Sequence, residues 1–572
     1  MDDAPTSEAA WRGDGGAAVP RLPAAAVEDN NWRALDVPSP AALPRLPRIT
    51  IVIPARDEAE RLELTLAALA GQRYPHEDLE VIVVDDGSDP PLTLPEHAPP
   101  ARLLRQEAEG FGAGRARNLG AAEATGEVLL FLDADMAGEP ELLRAHARWH
   151  TVVRDAVVVG PRWFPGADRA RAAPMTPTAL RQGRLTELVD PQHATSEDWW
   201  QDHLERTDEL TARRTDLFGA VISCNLSLRA ETFDELGGFT PFGRRGIEDT
   251  ELGWRAFDAG ALLVPDRQAR AWHLSAKSHL MSQGAKGTER RRLPLLWHHV
   301  PGHRARPRDA ARRFLVPRIA IEVDGREATF EEIVDGAEAL LASSVKDVAV
   351  ELLLDDGEDG RLAREALEPD HRIRLDDRTA APVRVALPRP LDLLPDALAR
   401  LCEPLETAKV GLVTAIVPVE SRPDSPEVAV HAWRRRAARR AQQVWLDRHG
   451  GQPPAPSEHG EEASELRHVI DELFGTAVES GTALGLGPQA GPAPPTRASR
   501  SELRSLAAAQ REVDRLKRRL ARAEQARRAA EEQRDRRAEA LRAVQRRKVV
   551  RLADAGGRGL RRALRALRSA RP

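Results

Sequence analysis

EVLLFLDADM, from Glu127 to Met136, drives a run of apolar residues straight into two carboxylates one residue apart. Five apolar positions ahead of an aspartate read as a buried strand, and a strand that ends this way sets Asp133 and Asp135 at the mouth of a sheet. An isolated Asp-x-Asp is as readily a solvated turn, so the weight of the reading rests on its neighbours.

Two upstream segments share the pattern. RITIVIPARDE, Arg48 to Glu58, is a short apolar strand followed by a polar turn, and LEVIVVDDGSD, Leu79 to Asp89, is a β-branched strand ending in carboxylates and a glycine turn. Leu62, Leu66 and Leu69 lie between them at helical spacing, and Ala113 to Ala124 is a second helical stretch ahead of EVLLFLDAD. Strand, helix, strand, helix, strand predicts a largely parallel, doubly wound α/β sheet. Ligands of such sheets bind outside the carboxyl ends of the strands, where Asp57, Asp85, Asp86, Asp133 and Asp135 all fall. Paired hard carboxylates suit Mg²⁺ or Mn²⁺, which in turn neutralise phosphate oxygens.

IVIPARDE, VIVVDDGSD, GRARNLGAAEATGEVLLFLDAD, CNLSLRAETFDELGGF and GIEDTELGWRAFDAG, in that order, resemble the family-two glycosyltransferases of the GT-A fold. The second half is nearest to the chondroitin-polymerase and galactosyltransferase type. The resemblance covers Arg48 to Ser275, under half the chain.

It implies a role for each matched position. Pro54, Arg56 and Glu58 would line the nucleotide pocket, Asp86 with Asp85 would meet the base, and Arg117 would sit near the nucleotide or its phosphates. Asp133 would touch the ribose or a metal-bound water, Asp135 would ligate a divalent metal, Mn²⁺ or Mg²⁺, and His273 would be a further ligand. Asp249 would be the general base, with Glu248 recognising the acceptor, although helix capping alone accounts for one carboxylate there. The expected reaction is an inverting transfer from a nucleotide-sugar, expected to be a UDP-sugar, to a glycan or lipid-linked acceptor of the cell envelope. The other reading is a non-catalytic scaffold that binds glycan or nucleotide.

The insertion from Pro161 to Leu217 holds Trp163, Phe164, Trp199 and Trp200. Flat rings stack on sugar faces, so Trp199 and Trp200, with Asn225, are candidates for acceptor contact. Closure of a small subdomain core explains the rings equally well.

The rest of the 572-residue chain divides by composition. Residues 1–47 are an Ala/Pro-rich extension in which Trp32 and Leu35 can dock on the catalytic domain of 48–305. Lys277 to Arg313 is basic, either a lid or a linker, and its His298, His299 and His303 lack the partners and spacing of a zinc site. Residues 306–448 resemble a second, degenerate copy of the same lobe. Shifted by 270 positions, RIAIEVDGRE at Arg318 aligns on RITIVIPARD and VELLLDDGED at Val350 on EVIVVDDGSD. AKVGLVTAIV at Ala408 then falls on GEVLLFLDAD, with Ala415 and Val417 in place of the metal carboxylates. An unrelated small α/β domain is the alternative.

A linker with a short helix is expected over 449–499, and a basic coiled coil with an amphipathic tail over 500–572. That tail would serve homo-oligomer assembly or peripheral contact with anionic lipid. No base-reading motif accompanies it, so nucleic acid is not an expected partner. Two cysteines far apart give no disulfide framework, and the polar, acidic N-terminus is unlike a secretory signal. No apolar run nears the ~18 residues of a membrane span. Together these predict a cytoplasmic protein, with the inner face of the membrane as its one peripheral contact.

Overall fold

The computed structural model describes residues 27–486 apart from short internal stretches, the longest being 165–174. In the first lobe β1 (Ile49–Ala55), β2 (Leu79–Asp86), β3 (Ala101–Gln106) and β4 (Val128–Leu132) run parallel, with α1 (Ala59–Ala70) and α2 (Ala113–Ala122) as crossovers. β1 and β4 are buried because Ile49, Ile51, Ile53, Leu130 and Phe131 are sealed on both faces, each contributing about 1.5–3 kcal/mol of burial. Leu62, Leu66 and Leu69 of α1 join the same core. Helix α2 lies close on the sheet because residue 120 is glycine: a Cβ there would meet Val52 Cγ1 at 2.4 Å.

After β4 the chain forms β5 (Met136–Gly138), α3 (Leu142–His150), β6 (Ala156–Val159) and β7 (Arg162–Phe164). The insertion contributes α4 (Pro177–Arg181), α5 (Leu185–Leu188), β8 (Thr195–Ser196) and α6 (Asp198–Arg206). It is followed by β9 (Asn225–Arg229), α7 (Ala230–Glu235), α8 (Glu248–Asp258), β10 (Leu262–Pro265) and β11 (Ala271–His273). The main sheet has the order β3-β2-β1-β4-β9-β6-β10, and only β9 runs against its neighbours. A smaller sheet, β5-β11-β7-β8, crosses the end of β4.

The second lobe contains β12 (Ile319–Asp324), β13 (Val348–Leu353), β14 (Ile373–Leu375), β15 (Val383–Leu387), β16 (Leu412–Pro418), β17 (Glu427–Arg434) and β18 (Thr476–Ser480). Its order is β14-β13-β12-β15-β17-β16-β18. Counted along the chain, both seven-stranded sheets run third, second, first, fourth, sixth, fifth, seventh. In both, only the sixth strand is antiparallel to its neighbours. The topology of the first lobe's main sheet is thus repeated.

The repeat corrects the gapless alignment. Ile49 faces Val128 in one sheet and Ile319 faces Val383 in the other, so β15, not β16, is the counterpart of β4. Pro388 and Pro390 therefore take the places of Asp133 and Asp135, whereas Ala415 and Val417 lie on a strand equivalent to β6. Proline cannot replace a carboxylate ligand, so β15 ends without the acidic pair that follows β4. The second strand is also offset, since Val348 takes the place of Leu79, which puts Asp355 opposite Asp86.

The stretch from 449 differs from a linker. Helix Glu461–Phe474 buries Leu466, Val469, Ile470, Leu473 and Phe474, and β18 completes the sheet against β16. The apolar spacing of this helix gives it a face to bury, and the exposed edge of β16 takes the next strand. The N-terminal extension packs on the first lobe, with Trp32 edge-on to Trp149 at 5.7 Å and Asn30 Nδ2 donating to Leu210 O and Leu263 O. The segment from 500 onwards lies outside the described residues. Among the described residues, no helix is long and apolar enough to cross a membrane.

Candidate active site

The carboxyl ends of β1, β2 and β4 open on one crevice, and hydrogen bonds clip their turns together. Asp57, at φ 55°, donates its N–H to Ser88 Oγ at 2.9 Å, and Asp89 N donates to Asp57 Oδ1 at 3.1 Å. Pro54 sits at the end of β1 beyond its last pair with β4, where its missing N–H costs nothing on that side. Arg56 Nη1 donates to Gly110 O at 2.9 Å and lies 3.8 Å from Asp86 Oδ2. Glu58 is paired with Arg61.

Asp85 and Asp86 have different tasks. Asp85 is turned into the fold, accepting from Ser88 N at 2.8 Å, Leu92 N at 3.2 Å and Arg105 Nη1 at 2.5 Å. Burial acts to raise its carboxyl, but these donors outweigh it and hold Asp85 below the usual range. Its oxygens are spent on the turn, which removes it from base recognition. Asp86 accepts from Gln106 Nε2 at 2.7 Å and Gly112 N at 3.0 Å, on the crevice side near Arg56. Residue 112 must be glycine for this contact, since a Cβ would stand 2.0 Å from Asp86 Oδ1.

Arg117 is buried on α2 with its guanidinium over the ring of Phe239 at 5.4 Å. Its Nη2 donates to Asp133 Oδ1 at 2.7 Å, and Nη1 lies 3.9 Å from Glu248 Oε1. Burial opposes its charge, yet Asp133, Asp249 and Glu248 together raise it above the ordinary arginine value. Arg117 thus joins the DAD segment to α8.

Asp135 meets His273 because β5 pairs antiparallel with β11, placing Met136 opposite His273. His273 Nε2 is 3.1 Å from Asp135 Oδ2, and Phe164 stacks on the imidazole with ring centres 5.1 Å apart. Burial, then the charges of Asp133 and Glu58, push the Asp135 carboxyl up to about 7.

Glu248 and Asp249 open α8. Glu248 Oε2 accepts from Gly246 N at 2.8 Å and Ile247 N at 2.9 Å in the turn before α8, and burial with Asp249 beside it raises its carboxyl despite Arg117. Asp249 Oδ1 accepts from Ser223 Oγ at 2.5 Å. Ser223 was not visible as a site residue from sequence; its only signal is its place two residues before β9.

Two expected acceptor residues are elsewhere. Asn225 is fully buried, donating to Ala269 O at 2.8 Å and bonded through Oδ1 to His146 Nε2 at 2.9 Å, so it ties strand to loop instead of meeting a sugar. Trp200 is a core residue whose Nε1 donates to Ala220 O at 2.9 Å. Trp199, next to it on α6, points outward at 45% exposure, as the one-residue step of a helix requires.

No metal is part of the structure, and among the described residues no group of three or more His, Cys, Asp and Glu converges on one point. The pair Asp135–His273 nonetheless fits a divalent cation in donor chemistry. A buried carboxylate pushed towards neutrality by like charges lacks the positive charge that such an ion carries.

A mixed α/β sheet with acidic strand ends around one crevice defines a nucleotide-binding class of fold. Residues 50–220 match the model of "Glycosyl transferase family 2", and this chain carries a family-two glycosyltransferase domain of the GT-A fold. Chondroitin synthase of Pasteurella multocida is 30% identical over 247 residues, 39% of this chain and 24% of that protein. Validoxylamine A glucosyltransferase of Streptomyces hygroscopicus subsp. jinggangensis is 31% identical over 248 residues, 41% of this chain and 57% of that one. The chain therefore spans well under two thirds of either relative. Among solved structures, a mannosyltransferase from Pyrobaculum calidifontis in complex with GDP-Man and Mn²⁺ has a TM-score of 0.31 at 20% identity, covering 46% of this chain and 64% of that one.

Proposed function

We propose that this protein is an inverting, metal-dependent glycosyltransferase that moves a sugar from a nucleotide-sugar, a UDP-sugar, to a hydroxyl of a glycan or glycoconjugate in cell-envelope polysaccharide synthesis. The observation that carries the reading is the convergence of Arg117–Asp133, His273–Asp135 and Ser223–Asp249 on one crevice from five separate segments.

Asp86 and Arg56 hold the nucleoside end, with Gln106 and Gly112 N fixing the Asp86 carboxylate. Arg117 orients Asp133. Asp135, Asp133 and His273 are the residues that would hold a divalent cation, which when bound supplies positive charge to the departing diphosphate. Asp249, fixed through Oδ1 by Ser223, keeps Oδ2 for the proton of the acceptor hydroxyl. The hydroxyl oxygen bonds to the anomeric carbon as the bond to the diphosphate oxygen breaks, so a single displacement inverts the anomeric centre. Glu248, held by the Gly246 and Ile247 amides, faces the acceptor, and the exposed ring of Trp199 offers a sugar-stacking surface. Assembly or lipid contact through the segment from 500 on completes the proposal, in the cytoplasm or at the inner face of the membrane.

Calorimetric titration with UDP, GDP and TDP, each with and without Mn²⁺, tests it in wild type and Asp135→Asn. Metal-dependent binding of UDP that is lost in the variant is expected. Equal affinity in both proteins would remove Asp135 as a ligand, and failure of all three nucleotides would favour a scaffold.

A further inference from the structure

A cavity of about 130 Å³ lies between the two lobes, away from the donor crevice. Six arginines line it: Arg304, Arg306, Arg308, Arg318, Arg434 and Arg436. The two carboxylates in its wall are already engaged, Glu406 by Arg318 and Asp258 by Arg435. Arg306 pairs with Asp347 at 2.5 Å.

Two buried arginines of the wall, Arg434 and Arg436, share one carboxylate neighbour at long range. Arg434 and Arg436 are 4% and 2% exposed, and Asp29 stands 3.9 Å from one and 3.6 Å from the other, beyond hydrogen-bond reach. Among the described residues no acceptor meets Arg434 Nη2, Arg306 Nε or Arg436 Nε. Burial leads Arg440 and Arg434 in pushing Arg436 down to about 9, against the pull of Asp29. Buried guanidinium nitrogens without acceptors are costly, and native interiors supply an anion where they occur.

We propose that this cavity is an anion site that takes one phosphate group, free or at the end of a larger ligand. Arg434 Nη2 and Arg306 Nε are the buried donors, and the exposed Arg304 and Arg308 close the mouth. Its volume suits one tetrahedral anion and not a nucleotide-sugar, and guanidinium forks match phosphate oxygens in pairs. The site stands apart from the proposed donor chemistry. Phe257 and Asp258 of the cavity wall end α8, the 11-residue helix that bears Glu248 and Asp249 about 16 Å away at its start. Arg436 Nη1 also donates to Phe257 O at 2.6 Å and Ala261 O at 2.8 Å, so an anion on this cluster bears on the position of α8.

The test is titration calorimetry and thermal unfolding of the full chain with inorganic phosphate, at ionic strength held constant with NaCl and with UDP and Mg²⁺ present to fill the donor crevice. Wild type is expected to bind one phosphate saturably, with a midpoint rise that levels off. Arg304→Gln/Arg308→Gln, at exposed positions that leave the fold intact, should weaken binding at least tenfold, and Arg434→Met should abolish it. Tighter binding of a sugar phosphate than of inorganic phosphate would assign a ligand-borne group, and equal binding a free anion. Absence of saturable binding, or equal affinity in wild type and the double variant, would overturn the site.

Discussion

His273 Nε2 lies 3.1 Å from Asp135 Oδ2, although the two residues are 138 positions apart in the chain, because β5 and β11 pair antiparallel at the mouth of the main sheet. Phe164 holds the ring from its other face. His273→Ala should weaken Mn²⁺-supported UDP binding at least about tenfold, the scale of losing one metal-supporting group. Calorimetry with and without Mn²⁺ reads it, and unchanged metal dependence would exclude the imidazole.

Asp249→Asn should lower kcat by about 10²- to 10⁴-fold while donor binding persists, the range expected for loss of a general base. Ser223→Ala removes one hydrogen bond to the same carboxylate, worth roughly 1 kcal/mol, so a loss of about fivefold is expected. Steady-state rates on a soluble acceptor, with UDP affinity measured alongside, distinguish these effects. A fully active Asp249→Asn enzyme would place the base elsewhere.

Gly112→Ala should displace Asp86, since the new Cβ would fall 2.0 Å from Asp86 Oδ1. The expected outcome is weaker nucleotide binding with a denaturation midpoint close to wild type, measured by calorimetry and urea unfolding. Unaltered affinity would show that Asp86 does not meet the nucleotide.

Acid should destabilise the first lobe through two buried histidines. His146 bonds Ser227 Oγ at 2.8 Å and Asn225 Oδ1 at 2.9 Å, and burial pushes it down to about 4; burial also holds His150 well below the ordinary imidazole value. Their folded values lie below the unfolded ~6.5, so the unfolded chain binds more protons in that window. The stability is complete above about pH 6.5 and is lost as pH falls towards 4, by up to about 1.4 kcal/mol per pH unit for each ring. Asp155, raised by burial to about 6, works in the opposite sense. The readout is therefore the difference between wild type and His146→Gln in urea midpoints from pH 7.5 to 4.5. Parallel profiles would show that His146 titrates normally.

Arg436→Met should cost about 3–5 kcal/mol, because Arg436 donates to Phe257 O, Ala261 O, Asp29 O and Asn30 Oδ1, joining both lobes and the N-terminal extension. Chemical denaturation measures it. A change under 1 kcal/mol would mean that the clamp is dispensable.

Much of the first lobe was legible locally. β1, β2 and β4 announce themselves as β-branched or leucine-rich runs that stop at carboxylates, and α1 by the spacing of Leu62, Leu66 and Leu69. The orientation of individual side chains at those strand ends was not legible. Asp85 and Asp86 are adjacent and chemically identical, yet Arg105 on β3 claims one and leaves the other for the crevice. Trp199 and Trp200 are likewise adjacent, and the helix sends one out and the other in. The helix Glu461–Phe474 shows the opposite case, since its apolar spacing was present in the sequence but its Gly/Pro-rich surroundings suggested a linker.

By itself the sequence determined the α/β alternation, the acidic strand ends, the family to which the first lobe belongs and the presence of a second lobe built on the same plan. These follow from apolar periodicity and from motifs within a few residues of one another. Only the tertiary structure decided that β15 is the strand matching β4, that His273 faces Asp135, and that arginines of the second lobe enclose a cavity against the first. Strand pairing and lobe contact join residues tens to hundreds of positions apart, and which of several similar apolar strands takes a given slot is settled by the packing of the whole sheet. No local spacing records that choice.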